Sequence, residues 1–223
     1  MMYPLRNENN YSPIITRENV FTDEEIEKFI ELTESFRFEK GKVFGQSDIG
    51  IKSLENYFYH RTKDSYRKSQ IKFIPWTRLT DWFYSRLIGC IHEVNFSNYN
   101  YVLTSLEDIQ FSKYCEEENS YYKAHVDNLS PRMVGNYEPI RKLSFSVQLS
   151  EPDNYEGGDL KICNESDHKV YNYHDKVELT STTALKTKGS ITFFPSNYFH
   201  EVTPVSKGIR YSIVGWVNGP NVL

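Results

Sequence analysis

Apolar positions recur at helical spacing in the first hundred residues and at every second position after residue 108. Thr22, followed three residues later by Glu25, is a capping-box signature, so we predict a first helix of about three turns over residues 22–33. A second helix is predicted over residues 76–91. Its predicted apolar face consists of Leu79, Trp82, Phe83, Leu87 and Cys90, and the aliphatic stem of Arg86 crosses this face. The polar stretch between the two helices, residues 41–70, gives an ambiguous pattern.

The alternating region predicts strands. Apolar residues alternate with polar ones without a break over residues 143–149, and the same period appears in three other runs. Those runs are residues 109–111, 191–193 and 209–213. Turn residues separate them, in segments 128–131, 151–154, 157–158, 188–189, 195–197 and 207–208. Roughly six to eight short strands at this spacing are typical of a sandwich or barrel.

We therefore predict an α+β fold with a double-stranded β-helix (jelly-roll) core and N-terminal helices packed on one sheet. The pattern shows no internal repeat and no low-complexity linker, so residues 1–223 are assigned to a single domain. Within it we distinguish a mainly helical region over residues 1–107, a catalytic core over residues 108–217 and a tail over residues 218–223.

Composition excludes several classes of protein. No apolar run approaches the roughly 20 residues that a membrane helix needs, and the first ten residues lack the apolar centre of a secretory signal. The net charge of −4 argues against nucleic acid as a partner. Cys90, Cys115 and Cys163 are odd in number and widely spaced, which fits a reducing compartment. We therefore expect a cytoplasmic protein without a membrane or nucleic acid partner.

His125 and Asp127 are the first residues that indicate chemistry. In a strand, residues i and i+2 point to the same face, so the imidazole and the carboxylate can bind one ion. His200 lies far along the chain, but a strand returning through a jelly roll can bring it beside this pair. Two imidazoles and one carboxylate form the facial triad of non-haem iron(II) oxygenases. An isolated His-x-Asp is weak evidence, because a surface histidine beside a capping aspartate gives the same pattern.

Arg210 strengthens the metal hypothesis. Ile209, Tyr211 and Ile213 share one face of the last strand, so Arg210 and Ser212 occupy the opposite face. A guanidinium inside a sandwich requires a partner, and a carboxylate fits its planar fork. A 2-oxoacid that chelates iron(II) at one end and ends in a second carboxylate would satisfy both sites. The alternative is an arginine on the surface of the last strand.

Other histidine clusters are less informative. Asp167-His168 and His174-Asp175 can be drawn as a zinc pair, but a polar turn between strands explains them better. A cupin-type site is disfavoured, because the chain has no His-x-His with a following glutamate.

The segments around these residues resemble the prolyl 4-hydroxylase-like group of 2-oxoglutarate and iron(II)-dependent dioxygenases, in its bacterial and phage type. The resemblance covers roughly residues 108–217 and rests on the order, spacing and turn residues of five segments. They are residues 110–114, 121–128, 141–150, 155–160 and 189–216. The resemblance implies that His125, Asp127 and His200 bind Fe(II) and that Arg210 holds the distal carboxylate of 2-oxoglutarate.

The resemblance also implies a wider cosubstrate pocket. Tyr114 and Tyr122 stand where the family often lines the pocket with tyrosines, although both also read as ordinary strand aromatics. Gln148 stands where several prolyl hydroxylases carry a tyrosine that touches the distal carboxylate, and its amide can still donate. Gly157-Gly158 is expected to form a tight turn, and Trp216 is expected to belong to the core.

The implied activity is hydroxylation of an unactivated C–H bond, with 2-oxoglutarate and O2 consumed and succinate and CO2 released. Ascorbate is the expected reductant. A peptidyl proline is the first substrate hypothesis, and a free amino acid or other small metabolite is the second. The different-class alternative is a non-catalytic jelly-roll binding module. A nucleobase demethylase is disfavoured because residue 216 is Trp rather than Arg, and a halogenase because Asp127 occupies the halide position.

One acidic segment bears on the substrate. Glu116-Glu117-Glu118 precedes the metal pair and can favour a basic polypeptide, but a solvated loop is the preferred interpretation.

Overall fold

The computed structural model describes residues 13–41, 66–128, 139–166 and 181–221. Two α-helices and fourteen strands occur in these ranges. The helices are α1 (Asp23–Leu32) and α2 (Asp81–Val94), and α2 continues as a π-helical turn, Asn95–Tyr99. The strands are β1 (Ile15–Arg17), β2 (Glu39–Lys40), β3 (Arg67–Lys68), β4 (Gln70–Ile74), β5 (Ser105–Leu106), β6 (Ile109–Cys115), β7 (Tyr121–His125), β8 (Ile140–Gln148), β9 (Tyr155–Gly157), β10 (Leu160–Ser166), β11 (Ser181–Thr183), β12 (Ile191–Pro195), β13 (Tyr198–Val202) and β14 (Val205–Gly219).

The capping box at the start of α1 is confirmed. The Thr22 hydroxyl accepts a hydrogen bond of 3.3 Å from the Glu25 backbone N–H, and the Glu25 carboxylate accepts one of 3.0 Å from the Thr22 N–H. Each side chain therefore satisfies a backbone donor that the first helical turn leaves without a partner. Ile26 and Phe29 form the buried face of this helix.

The start predicted for the second helix at Trp76 is wrong. The helix begins at Asp81, because the Thr80 hydroxyl accepts a hydrogen bond of 2.8 Å from the Thr77 N–H and closes a separate turn. Leu79 lies in this turn and is 68% exposed, so it does not belong to the apolar face. The buried residues of the helix are Phe83, Tyr84, Leu87, Ile91 and Val94.

The N-terminal region contributes to the sheets as well as supplying the helices. Within residues 13–41 and 66–107, β1 pairs with β12, β4 pairs with β6 and β3 pairs with β7. β1 and β3 have three and two residues, which are too few to give a measurable alternation. β4 has five residues and begins where the ambiguous stretch of residues 41–70 ends.

The described strands form two antiparallel sheets. The larger sheet runs β1-β12-β8-β14-β6-β4-β2, with β5 and β9 also paired to β14, and the smaller runs β11-β10-β13-β7-β3. The predicted jelly-roll core is therefore present. Both helices lie on one face of the larger sheet, where Phe29 and Phe83 join the same buried cluster as Phe145 and Phe193.

Strand β8 shows how the sequence separates the two faces of the larger sheet. Leu143, Phe145 and Val147 belong to the cluster beneath the helices. The alternate residues Ser144 and Gln148 are also buried but point to the other face, away from the helices. The small polar residues of this strand therefore line the space between the sheets, where a polar site can form.

No helix among the described residues is long and apolar enough to cross a membrane.

Candidate active site

The two histidines of the predicted trio lie on adjacent strands of the smaller sheet. His125 ends β7 and pairs with His200 of β13 in register. The two imidazole centroids are 4.2 Å apart. Asp127 follows two residues after His125, and hydrogen bonds from the backbone N–H groups of Asp127 and Asn128 to the Ser196 carbonyl hold this segment.

Both imidazoles are oriented by backbone carbonyls. His125 Nδ1 lies 2.8 Å from the Lys123 carbonyl oxygen, and His200 Nδ1 lies 3.0 Å from the Tyr198 carbonyl oxygen. A carbonyl oxygen only accepts, so each Nδ1 carries a proton, and Nε2 is the ring nitrogen whose lone pair can bind a metal.

The Asp127 carboxylate faces these two lone pairs. Its oxygens lie 3.7 Å from His125 Nε2 and 3.4 Å from His200 Nε2. One ligand atom from each residue of the trio falls within 4.8 Å of the others. Three acceptors that converge in a buried space repel one another unless a cation lies between them. The donor set fits Fe(II), whose oxygenase sites use two histidines and one carboxylate.

Side chains of the larger sheet hold the Asp127 carboxylate. The Ser144 hydroxyl donates to Asp127 Oδ2 over 2.8 Å and lies 2.8 Å from the Ser196 hydroxyl. The Trp216 indole also hydrogen-bonds the carboxylate. Arg141 stacks on the Trp216 ring at 3.9 Å. The expectation that Trp216 serves only the core therefore requires revision, since its ring is buried and its N–H supports a candidate ligand.

The protonation states suit metal binding. Burial, reinforced by the charge of His200, lowers the pKa of His125 well below its ordinary value, so this imidazole stays neutral. Burial alone would raise the pKa of Asp127. Electrostatic interactions with His200, His125 and Arg141 and the Trp216 hydrogen bond outweigh burial, so the pKa of Asp127 is lowered and the group stays ionised.

Arg210 lies in a pocket between the two sheets. Its side chain is 4% exposed, and its Nη1 donates to the Ser212 hydroxyl over 3.3 Å. Within the ranges that the structure describes, no carboxylate lies within ion-pair distance of this guanidinium. The pocket has a wall of these residues: Ser146, Gln148, Tyr155, Gly158, Leu160, Ala184, Leu185, Lys186, Thr192 and Arg210. A buried cation facing a polar pocket is suited to an anionic ligand.

The sequence-predicted pocket residues take different positions. Gln148 lines the pocket together with Arg210. Tyr114 pairs with Arg210 across β6 and β14, and the guanidinium carbon lies 5.7 Å from its ring centroid. Tyr122 lies beside the metal trio instead, stacked on His125 with ring centroids 3.6 Å apart.

A buried arginine completes this stack. The Arg67 guanidinium carbon, on β3, lies 4.4 Å from the Tyr122 ring centroid, and Arg67 Nε donates to the Ser69 hydroxyl. Burial raises the pKa of the Tyr122 hydroxyl, so the phenol stays protonated. The stack of Arg67 and Tyr122 therefore limits the rotation of His125.

Sequence reasoning missed Tyr155, Ser144 and the stacking role of Arg67. The alternation of Ser144, Ser146 and Gln148 along β8 was a signal for a polar inner face. Nothing in the spacing links Tyr155 or Arg67 to the site, because each reaches it from another strand.

Three further sequence predictions concern the glycine pair, the acidic segment and the alternative zinc site. Gly157 and Gly158 form the expected tight turn, with φ of 75° and 61°. Glu116 and Glu117 are exposed in a short 3-10 turn at the opposite end of β7 from His125, as a solvated loop would be. The residues of the zinc-pair alternative, 167–175, lie outside the described residues.

Comparison with known proteins agrees with this site. Residues 109–218 match the family model of the 2OG-Fe(II) oxygenase superfamily. A PKHD-type hydroxylase of Acinetobacter baumannii is 38% identical over 108 residues, which are 48% of this chain and 41% of that protein. A PKHD-type hydroxylase of Gloeothece citriformis is 34% identical over 112 residues, 50% of this chain and 43% of that protein. The matches thus span about two fifths of the length of these curated relatives.

Solved structures share the fold. A prolyl hydroxylase from Trichoplax adhaerens, in complex with a hypoxia inducible factor peptide fragment, aligns with a TM-score of 0.64 at 16% identity, covering 92% of this chain and 83% of that one. The viral collagen prolyl hydroxylase of Paramecium Bursaria Chlorella virus-1, in its 2OG complex, aligns with a TM-score of 0.56 at 14% identity, covering 95% and 98%. At these identities the likeness concerns the fold.

The family match and the fold agree with the chemistry of the His125, Asp127 and His200 trio. Residues 109–218 of the chain thus match the 2OG-Fe(II) oxygenase superfamily, and this segment contains the trio that could hold a metal ion.

Proposed function

We propose that the chain is a 2-oxoglutarate- and Fe(II)-dependent dioxygenase that hydroxylates an unactivated C–H bond. The observation that carries this proposal is the presence of two buried polar groups of opposite kind. The trio of His125, Asp127 and His200 brings three acceptors together, and Arg210 presents a cation that has no carboxylate partner among the described residues. One ligand set, a metal ion and a 2-oxo diacid, satisfies both.

The geometry of β8 relates the two groups. Ser144 supports Asp127, and Ser146, two residues along the same face, lines the Arg210 pocket. Two residues of a strand span about 7 Å. A short diacid can therefore reach from the metal to Arg210 along this face.

The chain's own groups have three tasks in this proposal. His125, Asp127 and His200 hold the metal, Arg210 binds the distal carboxylate, and the apolar members of the pocket wall, such as Leu160, help to exclude water. When bound, Fe(II) with 2-oxoglutarate and O2 supplies the oxidising chemistry for C–H hydroxylation. No described side chain is needed as a general base for that oxidation.

The proposed substrate is a peptidyl proline. Support comes from the solved neighbours, since the Trichoplax adhaerens protein is a prolyl hydroxylase bound to a peptide fragment. We also propose a cytoplasmic location, which is supported by three free thiols at Cys90, Cys115 and Cys163.

The test uses the full chain with Fe(II), ascorbate, 2-oxoglutarate and a set of proline-containing peptides. We expect succinate release and a peptide that gains one oxygen atom, both lost in His125→Ala. Succinate release with free amino acids but never with peptides would replace the proline substrate with a small metabolite. Absence of metal and 2-oxoglutarate binding in the wild type would overturn the enzyme proposal in favour of a binding module.

A further inference from the structure

The pocket around Arg210 contains a phenol to which the proposed function assigns no task. Tyr155 of β9 is 4% exposed and lines the same pocket as Arg210 and Gln148. We infer that the Tyr155 hydroxyl donates a hydrogen bond to the distal carboxylate of the cosubstrate, with Gln148 as its positioning residue. The inference rests on the proposed function, since it concerns the ligand of that site.

The Gln148 amide fixes the direction of the Tyr155 proton. Gln148 Nε2 lies 3.4 Å from the Ser150 carbonyl oxygen, which only accepts, so the amide nitrogen and not the amide oxygen faces this side. The same nitrogen lies 2.8 Å from the Tyr155 hydroxyl oxygen. Tyr155 therefore accepts from Gln148, and its own O–H proton remains available to another acceptor.

The same geometry removes Gln148 as a donor to the cosubstrate. A primary amide has two N–H protons, and here one is directed to Ser150 and the other to Tyr155. The donor that this side of the pocket offers to a ligand is thus the Tyr155 hydroxyl and not the Gln148 amide.

Packing directs Tyr155 and Arg210 toward one ligand. Gly158 separates them: a Cβ at this position would lie 3.0 Å from Arg210 Cδ and 3.4 Å from Tyr155 Cε2. β9 pairs with β14, which carries Arg210, so both residues belong to one local hydrogen-bonded framework. The shared wall places a phenol and a guanidinium as two donors for one carboxylate.

The other pocket cation does not compete for this role. Lys186 Nζ lies 2.7 Å from Asp159 Oδ1 and donates to the Gly157 carbonyl oxygen. Its charge is therefore neutralised within the protein, whereas that of Arg210 has no carboxylate partner among the described residues. The pocket thus presents one net positive charge, matched to a single carboxylate.

The test is the Tyr155→Phe variant, loaded with Mn(II) as a redox-stable substitute for Fe(II). Affinity is measured by calorimetry for 2-oxoglutarate and for oxalate, which chelates the metal but has no distal carboxylate. Loss of a hydrogen bond to a charged group predicts that the variant binds 2-oxoglutarate roughly tenfold to a hundredfold more weakly. Its affinity for oxalate is expected to stay within about twofold of the wild type, since no contact to the chelating end has changed.

Tyr84→Phe is the matched control. It removes another buried phenol, one that donates to the Ile74 carbonyl oxygen and accepts from the Ile109 N–H, away from the pocket. We expect it to change neither affinity. Gln148→Leu should weaken 2-oxoglutarate binding less than Tyr155→Phe, and the double variant should be no weaker than Tyr155→Phe alone, because Gln148 acts through Tyr155.

The possible outcomes distinguish failure of the Tyr155 inference from failure of the proposed function. Wild-type binding of 2-oxoglutarate with unchanged affinity in Tyr155→Phe, or equal losses for 2-oxoglutarate and oxalate, overturns the inference and leaves the proposed function standing. Failure of the Mn(II)-loaded wild type to bind either ligand overturns both.

Discussion

The two ends of the site are built from opposite kinds of polar group. The metal end collects acceptors, two imidazole lone pairs and the Asp127 carboxylate. The pocket end collects donors, the Arg210 guanidinium and the Tyr155 hydroxyl. Both ends are buried, so neither is fully solvated by water.

This difference explains why both ends belong to one ligand set. A buried group without a partner destabilises the fold by the free energy of its lost hydration. A cation at the acceptor end and an anion at the donor end remove both penalties. The charges and hydrogen-bonding groups at the two ends therefore indicate which ligands they suit, and each end can be tested separately by substitution.

The largest effect is expected for Asp127→Ala. It removes the only carboxylate of the trio, so metal binding should be lost and 2-oxoglutarate, which then lacks its chelating partner, should not bind. Calorimetric titration with Mn(II) measures this. Asp153→Ala, at an exposed carboxylate in a short turn, is the control and should bind as the wild type does. Normal metal affinity in Asp127→Ala would refute the assignment of the acceptor end.

Arg210→Gln should break the donor end alone. Removing the buried charge should weaken 2-oxoglutarate binding by about a hundredfold, as for other buried charged contacts, while Mn(II) affinity stays within a few fold. Arg78→Gln, at an exposed arginine, is the control. Equal losses of metal and 2-oxoglutarate affinity would show that the two ends are not separable.

Trp216→Phe should weaken the acceptor end by a smaller amount. The variant keeps an aromatic ring beneath Arg141 but removes the N–H that hydrogen-bonds Asp127. Loss of a group that orients a metal ligand typically costs roughly tenfold or more in metal affinity. Affinity for 2-oxoglutarate at saturating Mn(II) should not change. A variant with wild-type metal affinity would assign Trp216 to packing alone.

Thr22→Ala tests whether effects at the two ends are local. The change removes the side-chain half of the capping box of α1, so the free energy of unfolding should fall by about 1 kcal/mol. The affinities for Mn(II) and for 2-oxoglutarate should remain those of the wild type, because α1 lies on the face of the larger sheet that is opposite to the site. Denaturant unfolding gives the first quantity and calorimetry the second. Weaker ligand binding would mean that stability and site geometry are coupled.

Glu25→Gln should have the smallest effect, which is limited to the way the free energy of unfolding depends on pH in acidic solution. Hydrogen bonds from Arg86 and from the Thr22 backbone lower the pKa of Glu25 below its ordinary 4.5. Its stabilising contribution is therefore fully present above pH 4.5 and is lost as the pH falls through the lowered pKa. Unfolding curves at several acidic pH values should show a shallower loss of stability in the variant. Identical slopes would contradict this role.

The sequence indicated the residues that the structure brings together at the candidate site, because His125 and Arg210 lie on strands, where a period of two determines the face. Asp127 lies two residues beyond the end of β7, so its direction depends on the backbone hydrogen bond to Ser196 and not on the strand period. The true start of α2 was not predictable from apolar spacing, because the Thr80 turn depends on a local hydroxyl contact. Tyr155 could not be predicted either, since its role depends on a pairing between β9 and β14 that no local pattern encodes.

The effect of inserting one residue into strand β14 should depend on where in the strand the residue is added. Arg210 and Trp216 share one face of this strand, and its pairing with β6 and β8 fixes the register. One added residue between them would turn one of the two side chains toward the helices, so either the anion anchor or the aspartate support would be lost. Near Val205 to Lys207, where the ladder already contains a bulge, an added residue can be absorbed without reversing the face. The strand thus has one segment that tolerates length change and another, only a few residues away, that does not.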